Sequence, residues 1–202
     1  MITKTLNSTK NIAQSTHFRP KIHNNTLIVC AGAMESFKFA ATIGIGMIEP
    51  AINLTKILLN LKQLPKKIIF IGSCGLYGNE NLLEIYQSSF AFNYEISGIM
   101  GFSYSPIKIN FPTVSQKTIL INSSNFITNS AEIAQKFNDI GFTAENMESY
   151  SVQCVANAFK IEFECILCAT NYCNENAHND FIKNYPKAKD IISKYLKLKG
   201  II

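Results

Sequence analysis

The chain alternates short, almost uninterrupted apolar runs with longer stretches in which apolar residues return every three or four positions. Thr26-Leu27-Ile28-Val29-Cys30, Ile68-Ile69-Phe70-Ile71, Thr118-Ile119-Leu120-Ile121 and Phe163-Glu164-Cys165-Ile166-Leu167-Cys168-Ala169 are of the first kind. Such runs, without polar alternation, predict strands buried on both faces, as in a parallel sheet. Ile52, Leu54, Ile57, Leu58 and Leu61 predict a helix from Pro50 that ends at Gln63-Leu64-Pro65. Ile133, Ala134 and Phe137 predict a second, capped by Ser130, and Val152, Val155, Ala156 and Phe159 a third. A closing helix is expected over Phe181 to Leu198, with Ile191, Ile192 and Tyr195 on its inner face. Between 82 and 122, Leu83, Ile85, Tyr86, Phe90, Phe92, Ile107, Ile109 and Phe111 alternate in part, which predicts an antiparallel, β-rich middle. Strands alternating with helices predict an α/β three-layer sandwich, a central mixed β-sheet flanked by helices.

The chain has 202 residues, 47% hydrophobic and 16% charged, enough for one globular domain with a sizeable core. That domain is placed over residues 26–202; residues 1–25, polar and poorly patterned, read as a tail, disordered unless tied down. No apolar run reaches the ~18 residues of a membrane span. Met1 to Asn25 also lacks the long apolar segment of a signal peptide, so a soluble, cytoplasmic protein is expected. The net charge of +5 comes almost wholly from lysine, gathered only near the C-terminus, where Lys183, Lys187, Lys189, Lys194, Lys197 and Lys199 fit the solvated outer face of the last helix. Arg19 is the single arginine, which argues against nucleic acid as a partner. Six cysteines fall mostly in apolar stretches, as small reduced hydrophobes do. Cys165 and Cys168 have CxxC spacing, but positions three apart on a strand point to opposite faces, and no second pair completes a zinc set; no metal is expected.

Candidate chemistry gathers where the predicted strands end, the edge at which a parallel sheet carries its ligands. Glu35 follows the first strand, and Thr42-Ile43-Gly44-Ile45-Gly46 comes next, its glycines allowing close backbone approach to a ligand. Gly72-Ser73-Cys74-Gly75 reads as a turn after the second strand: either a plain turn or a cradle of one hydroxyl and several N–H groups for an anion or sugar oxygens. Phe126, in a polar loop, either stacks on a base or packs beneath the following helix. Asn146-Met147-Glu148 precedes the third helix. There Glu148 either belongs to a helix cap or, kept ionised by the positive helix end, accepts hydrogen bonds from a sugar diol. Thr170-Asn171-Tyr172 ends the last strand, with His178 and Asp180 nearby as an acid–base pair or as a solvated loop.

In this order the four loops around Gly44-Ile45-Gly46, Gly72-Ser73-Cys74-Gly75, Asn146-Met147-Glu148 and Thr170-Asn171 resemble the nucleoside phosphorylase superfamily, over roughly residues 27–195. That family includes purine nucleoside phosphorylases and methylthioadenosine/S-adenosylhomocysteine nucleosidases. The resemblance implies that Met147 packs on the ribose and Glu148 holds its hydroxyls, that Phe126 stacks on the purine, and that the backbone at Ile127 reads the base edge. It implies catalysis by Asn171 at the departing base, Glu148 and Ser73, with phosphate or the attacking water held by Thr42, Gly44, Gly46 and Ser73. A homo-oligomer is implied too, as is the absence of any cofactor beyond inorganic phosphate as co-substrate. Family members with Asn at the position of Asn171 tend toward 6-oxopurines, so the expectation is phosphorolysis of inosine or guanosine to free base and ribose 1-phosphate, as in purine salvage. Hydrolysis by a purine nucleosidase of the methylthioadenosine or futalosine type, and a non-catalytic nucleoside binder, are the alternatives. Two positions depart from the pattern: Phe70 stands where bacterial phosphorylases carry a phosphate-binding arginine, and the water-activating glutamate of the nucleosidases falls at Phe37, two residues beyond Glu35. The stretch from the first strand to Gly44 is also short, as if a hairpin were missing.

Overall fold

The computed structural model describes residues 20, 22–107, 109 and 119–202. In chain order the elements are β1 (Ile22–His23), β2 (Thr26–Cys30), a 3-10 turn (Ala33–Glu35), β3 (Ala41–Thr42), α1 (Ile48–Leu59), β4 (Lys67–Leu76), β5 (Ile85–Ser88) and β6 (Ala91–Phe92). There follow α2 (Ile96–Ile99), β7 (Ile121–Asn122), α3 (Ala131–Asp139), β8 (Ala144–Glu145), α4 (Ser149–Ala158), β9 (Glu162–Tyr172) and α5 (Ala177–Leu198).

One mixed sheet holds all nine strands of the described residues, and β4 is its axis. It runs parallel to β2 on one side, from Lys67 against Thr26 to Ile71 against Cys30, and parallel to β9 on the other, from Lys67 against Glu162 to Leu76 against Tyr172. Period two then decides the layers. Leu27, Val29, Ile68, Phe70, Cys165 and Leu167 face one way and pack with Leu54 and Leu58 of α1 and Val152 and Val155 of α4. Ile28, Cys30, Ile69, Ile71, Ile166 and Cys168 face the other way and pack with Ala188, Ile192 and Leu196 of α5. Helices on both faces make the three-layer α/β sandwich, and both faces being covered is why these strands read as continuous apolar runs. Each fully buried Leu or Ile contributes about 1.5–3 kcal/mol by leaving water. A third cluster, around Tyr77, Phe137 and Phe142, seats α3 beside the end of β4. Cys165 and Cys168 lie on opposite faces of β9, as the strand period requires. No helix among the described residues is long and apolar enough to cross a membrane.

Several expectations need correction. Gly72-Ser73-Cys74-Gly75 is not a turn: β4 continues through it to Leu76, with a register shift against β9 between Cys74 and Gly75. The small residues serve close approach within the strand. A Cβ on Gly75 would stand 2.8 Å from Asn171 Nδ2 and 2.9 Å from Cys173 Sγ. The middle is not an antiparallel meander either. β5 pairs antiparallel with β9, but β6 and β7 pair in parallel. Ser88 ends β5 early because its hydroxyl accepts from Phe90 N–H at 2.9 Å and donates to Phe90 O at 3.0 Å, turning the chain away from the ladder. Thr118 and Phe111 lie outside the described residues, and of the expected strand at 118–121 only Ile121 is in β7. Within the expected tail, Ile22 and His23 pair antiparallel with Leu27 and Thr26, so the sheet begins at β1; residues 1–19 and 21 lie outside the described residues. Finally, the last helix starts at Ala177 rather than Phe181, which carries its first turn over the edge of the sheet.

Candidate active site

A cavity of about 290 Å³ opens at the carboxyl edge of β4 and β9. Ser73, Phe126, Ile127, Met147, Glu148 and Asn171 all line it, together with Glu35, Glu145, His178 and Phe181. Six residues read separately from the sequence are thus brought to one place by four different elements.

The local fold around Glu148 explains how one short segment both caps a helix and leaves a carboxylate free. Asn146 takes the capping: its Oδ1 accepts from Glu148 N at 3.0 Å, Ser149 N at 2.9 Å and Ser149 Oγ at 2.8 Å, while its Nδ2 donates to Ser73 O at 3.0 Å. Glu148, 2% exposed, turns its side chain to the cavity and accepts from Gly46 N at 2.9 Å. The expectation that the helix end keeps Glu148 ionised is overturned by its burial, which pushes its pKa up to about 8 against the partial relief of the Gly46 N–H. Glu35 contributes a further repulsion.

Glu35 itself stands across the cavity. Its Oε1 accepts from Ser73 N at 2.8 Å and from Ser73 Oγ at 2.7 Å. Burial raises its pKa, and the two Ser73 donors pull it back down. Counting along the chain puts Phe37, not Glu35, at this place. In the structure it is Glu35 that lines the cavity: Gly32 and Ala33 adopt positive φ, 108° and 50°, and lead into the 3-10 turn that carries Glu35 toward β4. Phe37 goes instead into the core under α5.

At the other end of the cavity Asn171, 6% exposed, accepts from Thr170 Oγ1 at 2.9 Å and donates one N–H to Tyr172 O at 3.1 Å, which leaves its second amide hydrogen for a ligand. Glu145 lies near it, and nothing along the chain marks it for a role: β8 is two residues long, too short for a pattern. Its Oε1 accepts from Thr128 N at 2.9 Å, and its Oε2 from Thr128 Oγ1 at 2.7 Å and Tyr77 OH at 2.9 Å. Burial raises its pKa while these donors lower it. The loop before α3 is thereby pinned to β8, and the preceding residues stay at the mouth. Phe126 is 74% exposed there, not packed under a helix, and the Ile127 N–H and carbonyl have no hydrogen bond among the described residues.

Thr42, Gly44 and Gly46 are not among the lining residues. Gly46 acts through its N–H on Glu148, and Met47 N donates to Asn125 Oδ1 at 2.8 Å, tying this loop to the one that carries Phe126. Thr42 lies against Gly32, and Gly44 against Glu49. Phe70, 0% exposed, belongs to the core. His178 lines the cavity from the first turn of α5, but Asp180 does not. Among the described residues, three carboxylates and no lysine or arginine stand on the cavity wall. Among the same residues no group of three or more His, Cys, Asp or Glu is arranged to hold a metal ion.

No family model and no curated protein matches the sequence. Solved structures do. The methylthioadenosine nucleosidase of Helicobacter pylori, in a mutant form with 5′-methylthioadenosine in its active site, superposes with a TM-score of 0.69 at 16% identity, over 85% of this chain and 96% of that one. A futalosine hydrolase mutant of Helicobacter pylori gives the same score, identity and coverage. A Borrelia burgdorferi protein described as a methylthioadenosine/S-adenosylhomocysteine nucleosidase, bound to adenine, gives 0.67 at 20% identity, over 88% of this chain and all of that one. The mixed sheet and its flanking helices are accordingly those of the nucleoside phosphorylase/nucleosidase fold.

Proposed function

We propose that this chain cleaves the N-glycosidic bond of a purine nucleoside by hydrolysis. The observation that carries the reading is the Glu35–Ser73 pair on a cavity wall that has Glu148 opposite and, among the described residues, no lysine or arginine. A phosphate dianion here meets three buried carboxyl groups and, among the described residues, no lysine or arginine to pair with it, so the phosphorolysis expected from the sequence loses its main physical support. A neutral water does not. The solved nucleosidases that share the fold support the same choice.

In this reading Phe126 stacks on the base, Met147 packs on the sugar and Glu148 binds its hydroxyls. Glu35 takes a proton from water as the water oxygen bonds to C1′ and the C1′–N9 bond breaks. The bonding pair passes into the purine, where the free N–H of Asn171 donates to a ring nitrogen. The purine anion takes its proton from solvent, and Glu35 returns its own. An amide donates a hydrogen bond but no proton, which favours a base whose anion is well delocalised, as over the 6-oxygen of hypoxanthine.

The test is release of base from inosine, guanosine, adenosine and methylthioadenosine, with and without phosphate, and with the sugar product identified. Free sugar at a rate independent of phosphate is expected, with the 6-oxopurine nucleosides favoured. Formation of a sugar 1-phosphate would restore the phosphorylase, and tight binding without any release would make the protein a nucleoside binder.

A further inference from the structure

Of the three carboxyl groups on the cavity wall, Glu145 alone has no task in the hydrolytic scheme. That scheme also lacks a component: the Asn171 amide donates a hydrogen bond to the departing purine but has no proton to give it.

The sheet sets these two residues side by side. Gly75 of β4 pairs with Glu145 of β8 on one side and with Asn171 of β9 on the other. A Cβ on Gly75 would meet Asn171 Nδ2 at 2.8 Å and Glu145 Cγ at 3.6 Å, so both side chains lean over the one glycine on the same face of the sheet. A second set of contacts comes from the loop that carries Phe126. Thr128, directly after Ile127, donates its N–H to Glu145 Oε1 at 2.9 Å and its hydroxyl to Oε2 at 2.7 Å, while Phe126 and Ile127 line the cavity. Glu145 thus touches both elements that take the base in the hydrolytic reading.

Its surroundings suit an acid. Tyr77 OH donates to Oε2 at 2.9 Å and itself accepts from Asn122 Nδ2 at 3.1 Å. The hydroxyls of Thr128 and Tyr77 are able to accept as well as donate, so the same contacts hold the carboxyl with its proton and without it. Among the described residues no lysine, arginine or histidine forms an ion pair with Glu145. The ionisable groups that act on it are the Tyr77 phenol and the Cys74 thiol of β4 and the Cys173 thiol just beyond β9, each pushed toward its neutral form by burial and by Glu145 itself. Burial in turn favours the neutral form of Glu145, against the donors from Thr128 and Tyr77.

We propose that Glu145 is the acid that protonates the departing base, acting from across Gly75 beside the Asn171 amide. It rests on the reading that this site cleaves an N-glycosidic bond. As C1′–N9 breaks, its electron pair enters the purine, a purine heteroatom takes the Glu145 proton, and Glu145 is left as a carboxylate. The proton that Glu35 took from water returns to solvent, and Glu145 draws one from solvent once the base has left. A 6-oxopurine offers two adjacent acceptors, N7 and the 6-oxygen, one for each side chain.

The test compares Glu145→Gln with the wild type on two substrates, inosine and 4-nitrophenyl riboside, whose leaving group departs as a stable anion and needs no proton. Turnover of inosine is expected to fall about a hundredfold, and the loss with 4-nitrophenyl riboside to be at least tenfold smaller. Equal losses on the two substrates would mean that Glu145 only anchors the Phe126 loop, and undiminished turnover of inosine that it has no part in the reaction; either overturns the proposal and leaves the hydrolytic reading standing. Neutron diffraction from wild-type crystals at neutral pH needs no variant and is expected to show a deuteron on the Glu145 carboxyl. A bare carboxylate there overturns the proposal even where Glu145→Gln does not fold. Release of neither base nor nitrophenol by the wild type removes the hydrolytic reading and this proposal together.

Discussion

Glu148 holds its carboxyl where the helix end and the protein interior make opposite demands, and the interior prevails: its pKa rises to about 8. Between the ordinary carboxyl range and pH 8 the folded protein therefore binds a proton that the unfolded chain does not. Stability must fall as pH rises through that window. Glu35 and Glu145, raised in the same direction, add to the trend. In Glu148→Gln the hydrogen bond from Gly46 is kept and the titration is lost. Thermal denaturation from pH 5 to pH 8.5 is expected to show a flatter Tm profile for that variant, with Tm above the wild type at pH 8.5, and base release lower by about a hundredfold. A steeper profile would mean that Glu148 is not the group responsible. Glu148 was legible because a Met-Glu pair stands directly before a helical pattern. Glu35 reaches the cavity wall where counting along the chain arrives at Phe37, since counting assumes an ordinary backbone, whereas Gly32 and Ala33 turn it through positive φ.

At the scale of elements, the segment joining β8 to α4 does two tasks with adjacent residues. Asn146 ties α4, through its first N–H groups, to Ser73 in the middle of β4. Asn146→Ala removes the cap and leaves a carbonyl inside the protein unpaired, so a loss of roughly 2–3 kcal/mol is expected by urea denaturation. Activity should fall further than stability requires, because Glu148 and Ser73 both lose their alignment. The long apolar strands and the helices on both faces were readable from periodicity alone, since burial on two sides leaves no polar positions to confuse the count. The end of β4 was not. Gly72 and Gly75 carry the usual signature of a turn, and only the approach of the Asn171 and Cys173 side chains to Gly75 shows that smallness there serves the strand interior. The two-residue strands β6, β7 and β8 are set by tertiary pairing and leave no trace in so short a sequence.

Over the whole molecule, exposed apolar side chains gather at the cavity, where Met34, Ile45, Phe126 and Ile127 line it, and continue onto α1 with Ile48 and Ile52; each is at least 47% exposed. Such a patch is typical of a surface covered by another chain. Sedimentation equilibrium is expected to give a multiple of the 22.6 kDa chain mass, and Ile48→Ser with Ile52→Ser to shift it toward the monomer. A monomer at micromolar concentration in the wild type would remove the homo-oligomer. The pairing of β4 has a consequence of another kind. Its full-length partner is β9, Lys67 meeting Glu162 and Leu76 meeting Tyr172, so the axis of the sheet is closed by a segment that leaves the ribosome much later. Until then a long strand, nine of whose ten residues are buried in the folded protein, has an unsatisfied edge, the kind of surface that chaperones shield and that aggregates when they do not. Synthesis that stops short of β9 should therefore yield insoluble material, and a slow step in maturation should follow the emergence of β9 and α5, not that of the elements before them.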